Sequence, residues 1–452
     1  MHLPPPDARA GDDYLVGRGA AWFAFAMTIA LMVFDYLDRQ IIVSLFPHIK
    51  AEWGLSDSQL GALVSVVSVT VALCGLPVAL LADRASRVKS IVVMATAWSL
   101  ATLSCMFTRN YGQLLAARAV VGVGEAGYGS VGAALIASHF PARLRGALMA
   151  AFFASASVGS VLGVLLGGMI AARWGWQAAF GVVGAPGLVL ALLYLKVRDY
   201  RTVALDPGRE KAAQSTAGAA RFAAFALLRS RTLLWACIGG AAQLVVVSAI
   251  WSWLPSFLNR VHGVAAENAG ARAALVVLAG AAGSVVWGAV ADRAGRRQPR
   301  DKLRVVAGLC LLAMAILVTA FAGPAFGLAM SPSAQFGLIL AGGFVMTCTV
   351  GPVSAVVIDV VHPGVRATGA SVLSLFQNLF GLAAGPLIAG GLSDALGLST
   401  ALAITPLFGI VAALAFVRAT RSYESDLRAV QPAPPASDPP YPLAGAERAA
   451  PA

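Results

Sequence analysis

About twelve apolar runs, each near 20 residues, follow one another along this chain. A run of that length crosses the hydrocarbon core of a bilayer as a helix, because only a helix or a closed barrel satisfies its own backbone there. Charge is correspondingly scarce. Only 12% of residues are Asp, Glu, Lys or Arg and 58% are hydrophobic, whereas soluble domains carry about 25% charged residues. The sequence reads as an all-α polytopic membrane protein. Its expected spans are 21–46, 59–82, 90–107, 112–137, 144–171 and 177–197, then 232–259, 272–291, 303–322, 335–358, 366–392 and 399–418. A polar, basic linker at 198–231 divides them into two bundles of six, 21–197 and 232–418. Short tails, 1–20 and the proline-rich 419–452, flank the bundles. The N-terminal tail lacks a signal peptide's apolar region, so the first span is expected to direct insertion.

The distribution of basic residues sets an orientation. With the N-terminus inside, inner loops hold Arg84, Arg87, Lys89, Arg143, Arg145, Arg293, Arg296, Arg297, Arg300, Lys302 and Arg304. Outer loops hold only Lys50, Arg109, Arg173, Arg260 and Arg272. Cytoplasmic loops carry the excess of Lys and Arg, so both termini are expected in the cytoplasm, in a bacterial inner membrane. The net charge of +12 follows from these loops and does not suggest nucleic acid. The five cysteines lie inside apolar runs without CxxC spacing, and the five histidines are scattered. No metal site, disulfide framework or cofactor is expected.

The two halves echo each other. P-A-R-L-R-G from Pro141 answers P-G-V-R-A-T-G from Pro363. At an offset of 222 residues, Gly159, Gly163, Gly168 and Gly175 meet Gly381, Gly385, Gly390 and Gly397. A-D-R-A-S-R at 82–87 answers A-D-R-A-G-R at 291–296. Two parallel six-span repeats imply a pseudo-two-fold axis along the membrane normal, with a substrate site between the halves near mid-depth.

The loop G-A-V-A-D-R-A-G-R-R, Gly288 to Arg297, resembles the loop signature of the major facilitator superfamily of secondary transporters, and that resemblance covers nearly the whole chain. Y-L-D-R (Tyr36 to Arg39), P-H-I-K-A-E-W-G-L-S-D-S-Q-L-G (Pro47 to Gly61) and R-A-V-V-G-V-G-E-A-G-Y-G (from Arg118) resemble the spinster-like branch. This second resemblance covers mainly spans 1 to 5. Asp35 and Ser138 depart from the branch pattern, as Ala79 and Ser86 do from the loop signature. The resemblance implies the superfamily's two-bundle fold and alternating access. It further implies that the loop residues Asp83, Arg84, Arg143, Arg145, Asp292 and Arg293 gate one side, with Arg143 or Arg145 a partner for Asp83. Spinster-like transporters include carriers of lysolipids and sphingoid lipids.

One acid stands out before any resemblance is considered. Glu125 sits among glycines in a segment whose flanks read as one hydrophobic helix. A charge at mid-bilayer costs about 2.5–3.5 kcal/mol on insertion scales, so it is expected to face a cavity or a partner. Held away from bulk water, such a carboxyl can exchange a proton near neutrality. Arg118 lies two turns earlier on the same face, and Asp35, Asp38 and Arg39 share a face of span 1 by their i, i+3, i+4 spacing. A compact cluster of Asp38, Arg39, Arg118 and Glu125 is geometrically possible; the spinster-like resemblance implies that the span 1 Asp-Arg pair and the span 4 acid serve proton coupling and substrate headgroup binding, and a purely structural salt bridge is the alternative. G-V-G-E-A-G also fits a dinucleotide fingerprint, but no strand precedes it.

Elsewhere the expected cavity lining is polar or aromatic: Asp35, Tyr36 and Tyr128 in the first half, and Gln243, Trp251, Trp253, Thr347, Thr349, Phe376, Gln377, Asn378 and Phe380 in the second. One charged wall and one largely apolar wall suit an amphipathic substrate. The expectation is a monomeric, proton-coupled transporter of a lipid-like molecule, surrounded by membrane lipids. The rival is a carrier of small organic anions, sugar acids or drugs bound by Arg39 and Arg118. No catalytic cluster suggests an enzyme, and no added soluble domain suggests a receptor.

Overall fold

A computed structural model describes residues 14, 16–84, 86–198, 230–323, 330–361 and 366–430. The expected linker over 199–229 and the tail beyond 430 lie outside the described residues, as do the side chains of Asp83 and Arg84. Among the described residues, 12 helical segments are long and apolar enough to cross a membrane. The first bundle contains α1 (Arg18–Trp53), α2 (Asp57–Arg84), α3 (Arg87–Cys105), α4 (Tyr111–Glu125), α5 (Tyr128–His139), α6 (Ala142–Trp174) and α7 (Trp176–Tyr194). The second contains α8 (Arg231–His262), α9 (Ala266–Gly295), α10 (Pro299–Ala322), α11 (Pro332–Met346), α12 (Val350–Asp359) and α13 (Arg366–Phe376). It continues through a π-helical turn, Gln377–Leu382, into α14 (Ala384–Leu396), α15 (Leu398–Ile404) and α16 (Phe408–Val430).

Two spans expected to be continuous are broken. The fourth span stops at Glu125 and restarts at Tyr128, and the tenth stops at Met346 and restarts at Val350. Their breaks lie at the same 222-residue offset as the glycine repeats, with Glu125 answering Thr347. Gly127 makes the first break by adopting φ 86°, a left-handed geometry that disfavours any side chain. The twelfth span also differs. Its helix runs on to Val430, where Tyr423 donates to Asp359 (3.0 Å) and Asp426 accepts from the Thr232 backbone N–H (3.0 Å). These polar contacts dock the extension and cap the start of α8, so the helix persists beyond its apolar stretch.

Close approach of small residues builds each bundle. On α6, a Cβ at Gly159 would press on Val33 O and Tyr36, at Gly163 on Leu37 O and Gln40, and at Gly167 on Ile41 O. Glycines four apart thus accept residues of α1 four apart, the small-residue packing expected where lipid supplies no hydrophobic drive. Gly381 and Gly385 repeat the pattern against Ala241, Leu244, Val245 and Ser248 of α8.

The bundles meet at the face away from the termini, here the distal face. A Cβ at Gly168 of α6 would strike Ala266 O of α9, and one at Gly390 of α14 would strike Asp57 O of α2. These positions are again 222 residues apart, so two symmetry-related seams close the distal face. Between them Phe46 of α1 packs on Trp253 of α8, with ring centroids 5.1 Å apart.

Candidate functional site

The seam residue Phe46 fixes what lies deeper in the molecule. Arg39 is two helical turns from it on the same face of α1, and its guanidinium reaches Glu125 of α4. Its side chain keeps 17% of its surface accessible. Around it the side chains are sealed: Asp35, Asp38, Arg118 and Glu125 are each 3% exposed or less.

The structure divides the expected cluster into two linked pairs. Arg39 Nε lies 3.0 Å from Glu125 Oε2 and 3.3 Å from Asp35 Oδ1, so one guanidinium nitrogen serves two carboxylates. Arg118 Nη1 lies 3.4 Å from Asp38 Oδ1 and donates to Asp38 O, while its Nε donates to Leu63 O. Thr102 of α3 donates its hydroxyl to Asp38 Oδ2. Asp35, expected from the sequence as cavity lining, therefore belongs to the centre of the cluster. Thr102 was not legible there, because a lone threonine in an apolar span carries no positional signal.

The contacts of the pairs differ in kind. Arg118 and Asp38 are held by several hydrogen bonds and by the body of the first bundle. Glu125 has the Arg39 charge at ion-pair distance and the Asp35 carboxyl beside it, yet no well-formed hydrogen bond reaches either of its buried oxygens among the described residues. A buried acceptor left in that condition costs about 1–3 kcal/mol, and more for a charged group. Three acids and two bases also leave the cluster with one net negative charge, so one proton makes it neutral.

Backbone geometry places the acid. Glu125 ends α4, about 21 Å from its start at 1.5 Å per residue, near mid-depth. The surrounding glycines do different jobs. A Cβ on Gly122 would meet Val67 O of α2, one on Gly124 would meet the Trp98 backbone of α3, and one on Gly129 would meet nothing within 4 Å. Discontinuous helices at mid-depth free backbone groups at a site, as many transporters do.

Several expected lining residues are placed elsewhere. Tyr128 is fully buried; its hydroxyl donates to Thr28 O at 2.6 Å and its ring packs edge-on to Trp98 and Phe152. The restart of α5 turns it into the first bundle. Trp253 is a seam residue, buried with its Nε1 donating to Pro386 O at 3.0 Å. Gln243 and Thr347 donate at the second break, to Met346 O (2.8 Å) and Gly280 O (2.7 Å), leaving Gln243 Oε1 buried without a hydrogen-bond partner among the described residues, and Thr349 is buried there. Asn378 donates to Ser374 O at 2.9 Å on its own helix.

Tyr36, Trp251, Phe376 and Gln377 are half-buried and Phe380 is exposed. Phe376 and Phe380 pair at 5.3 Å, and the Arg39 guanidinium lies 5.3 Å from the Tyr36 ring centroid. Trp251 Nε1 is a buried donor without a hydrogen-bond partner among the described residues.

The loop residues show local ties. Arg145 Nε donates to Phe140 O at 2.9 Å, Arg143 and Arg293 are exposed, and Asp292 meets Lys302 Nζ at 2.7 Å across the α9–α10 turn.

Comparison with known proteins fits two bundles with a closed seam. The sequence profile of the Major Facilitator Superfamily matches residues 28–383. The chain belongs to the Major Facilitator Superfamily. It is 26% identical to Protein spinster of Drosophila melanogaster, over 87% of this chain and 66% of that one. It is 28% identical to a gallate transporter of Pseudomonas putida, over 92% of this chain and 96% of that one. Its fold matches the crystal structure of a bacterial homolog of the human lysosomal transporter Spinster, inward-facing and unoccupied, with a TM-score of 0.79. That match has 24% identity and covers 91% of this chain and 99% of the other. The protein is a multi-pass membrane transporter of this superfamily.

Proposed function

We propose that the protein is a proton-coupled secondary transporter for an amphipathic, lipid-like substrate such as a lysolipid or sphingoid lipid. The observation that carries the coupling is the Arg39–Glu125–Asp35 arrangement: two carboxylates on one guanidinium nitrogen, inside a cluster one proton short of neutrality. A proton on Glu125 removes the buried excess charge and weakens its hold on Arg39. Arg39 is then free to turn toward a substrate headgroup, and a bound headgroup in turn releases Glu125 to take the proton. Each ligand thereby changes the other's affinity through a shared group. Arg118–Asp38 is the fixed support, with Tyr36 beside Arg39. Phe376, Phe380 and Trp251 furnish the apolar side. Both termini lie in the cytoplasm of a bacterial inner membrane, a monomer suffices, and the basic loops around Asp83 and Asp292 close the cytoplasmic side in the alternate state.

The direct test is reconstitution in liposomes with an imposed pH gradient and a ligand panel. Glu125→Gln should lose gradient-driven accumulation, and its rate should lose the pH dependence seen in wild type, while exchange of substrate without a gradient persists. Full accumulation by the variant would end the coupling assignment. A second substrate reading, small organic anions, is favoured by the similarity to a gallate transporter and by the partly accessible Arg39. Thermal stabilisation by small aromatic acids and by no lysolipid would select it.

A further inference from the structure

We propose that Asp394 and Asp57 are positioning residues of the transport cycle, forming a cap across the two bundles that holds the distal face shut. Asp394 lies in the last turn of α14, in the second bundle. Its two carboxylate oxygens accept the backbone N–H groups of Asp57 (2.7 Å) and Ser58 (2.8 Å), in the first turn of α2 in the other bundle. Helix N-termini ordinarily take such acceptors from the residue just before the helix. The local partners are present here as well: Ser56 and Gln59 cap each other reciprocally, at 2.9 Å and 3.2 Å. Asp394 adds a second acceptor from more than 300 residues away.

Asp57 carries the other half of the device. Its carboxylate accepts Arg260 Nη1 of α8 at 2.9 and 2.8 Å, and the Ser393 hydroxyl of α14 at 2.5 Å, both from the second bundle. Lys50 of α1 binds the same group at 2.5 Å from within its own bundle. Two acids and two bases balance, so unlike the mid-depth cluster this group has no charge left for a proton to neutralise. Gly61 and Gly390 bring the backbones too close for any side chain beside it, and Ser65 Oγ donates across the seam to Ala383 O at 2.6 Å.

When the distal face opens, these cross-bundle contacts must break together. α2 then loses two backbone acceptors, and Asp57 keeps only Lys50 of its three charged or hydroxyl partners. The strength of this cap therefore sets how long the distal face stays closed, and events at Arg39 must overcome it to open that face.

The test needs neither substrate nor pH gradient, so it stands or falls separately from the coupling reading. Ser65→Cys introduces a reporter thiol inside the seam. Its maleimide labelling, quantified by mass spectrometry on the full-length protein in nanodiscs, is compared alone and with Asp394→Ala or Arg260→Gln. Labelling should be faster by about tenfold, since losing charge-assisted hydrogen bonds moves a two-state balance by that order. Cys105, Cys237, Cys310 and Cys348, buried within the bundles, should stay protected. Asp394→Asn, which keeps an oxygen acceptor, should fall between wild type and Asp394→Ala. Unchanged labelling of the seam thiol would overturn the proposal, as would parallel labelling of the buried native thiols, which means loosening of the fold rather than separation of the bundles.

Discussion

Arg118 and Glu125 occupy the same buried cluster with different consequences for substitution. Arg118→Leu leaves Asp38 sealed in the first bundle with the Thr102 hydroxyl as its remaining side-chain hydrogen-bond donor among the described residues. Removing one member of a buried pair typically costs about 3–5 kcal/mol, so a marked fall in melting temperature is expected, measured in detergent by intrinsic fluorescence. Glu125→Gln should melt close to wild type, because the substitution removes the cluster's one excess negative charge while Arg39 keeps Asp35 as its partner. Similar melting of the two variants would mean that both pairs are structural. The charges were legible in the sequence because spacing on a helix puts Asp35, Asp38 and Arg39 on one face. Which acid each arginine takes was not, because that depends on how deep α4 sits against α1, and on a threonine from α3.

At the level of elements, the fourth span shows where hydropathy stops being informative. A run of apolar residues reads as continuous whether or not its backbone is, so the break before Tyr128 was visible only as a cluster of glycines. Their separate roles can be told apart by alanine. Gly127→Ala forces a side chain into left-handed geometry and should cost about 1–2 kcal/mol. Gly129→Ala adds a helix former where no atom lies within 4 Å and should stabilise by about 0.5–1 kcal/mol. Chemical denaturation or thermal melting of the pair checks the sign; equal effects would contradict the assigned break. The matching break after Met346 explains why Gln243 and Thr347 looked like ligand residues. Gln243 donates to the Met346 carbonyl at the break, and Thr347 ties the break to Gly280 O of α9.

For the whole molecule, the twelve spans and the pairing of halves followed from apolar run length and the repeated glycines, properties that act locally or by simple translation. The distal cap was missed because its members are ordinary loop charges until the chain brings residues hundreds apart together, although S-D-S-Q at 56–59 carries a recognisable helix-start pattern. The mid-depth cluster has one more consequence at this scale. If Glu125 carries the coupled proton as proposed, then with a neutral cargo the protonated carrier crosses the membrane's electric field without net charge, while the unladen carrier takes one negative charge with it. An imposed voltage then acts on the return leg alone, at about 2.3 kcal/mol per charge per 100 mV if the whole field is crossed. Solid-supported-membrane currents from wild type should be voltage-sensitive in turnover and not in the proton-loaded half-reaction, and the polarity that slows turnover identifies which face looks into the cell.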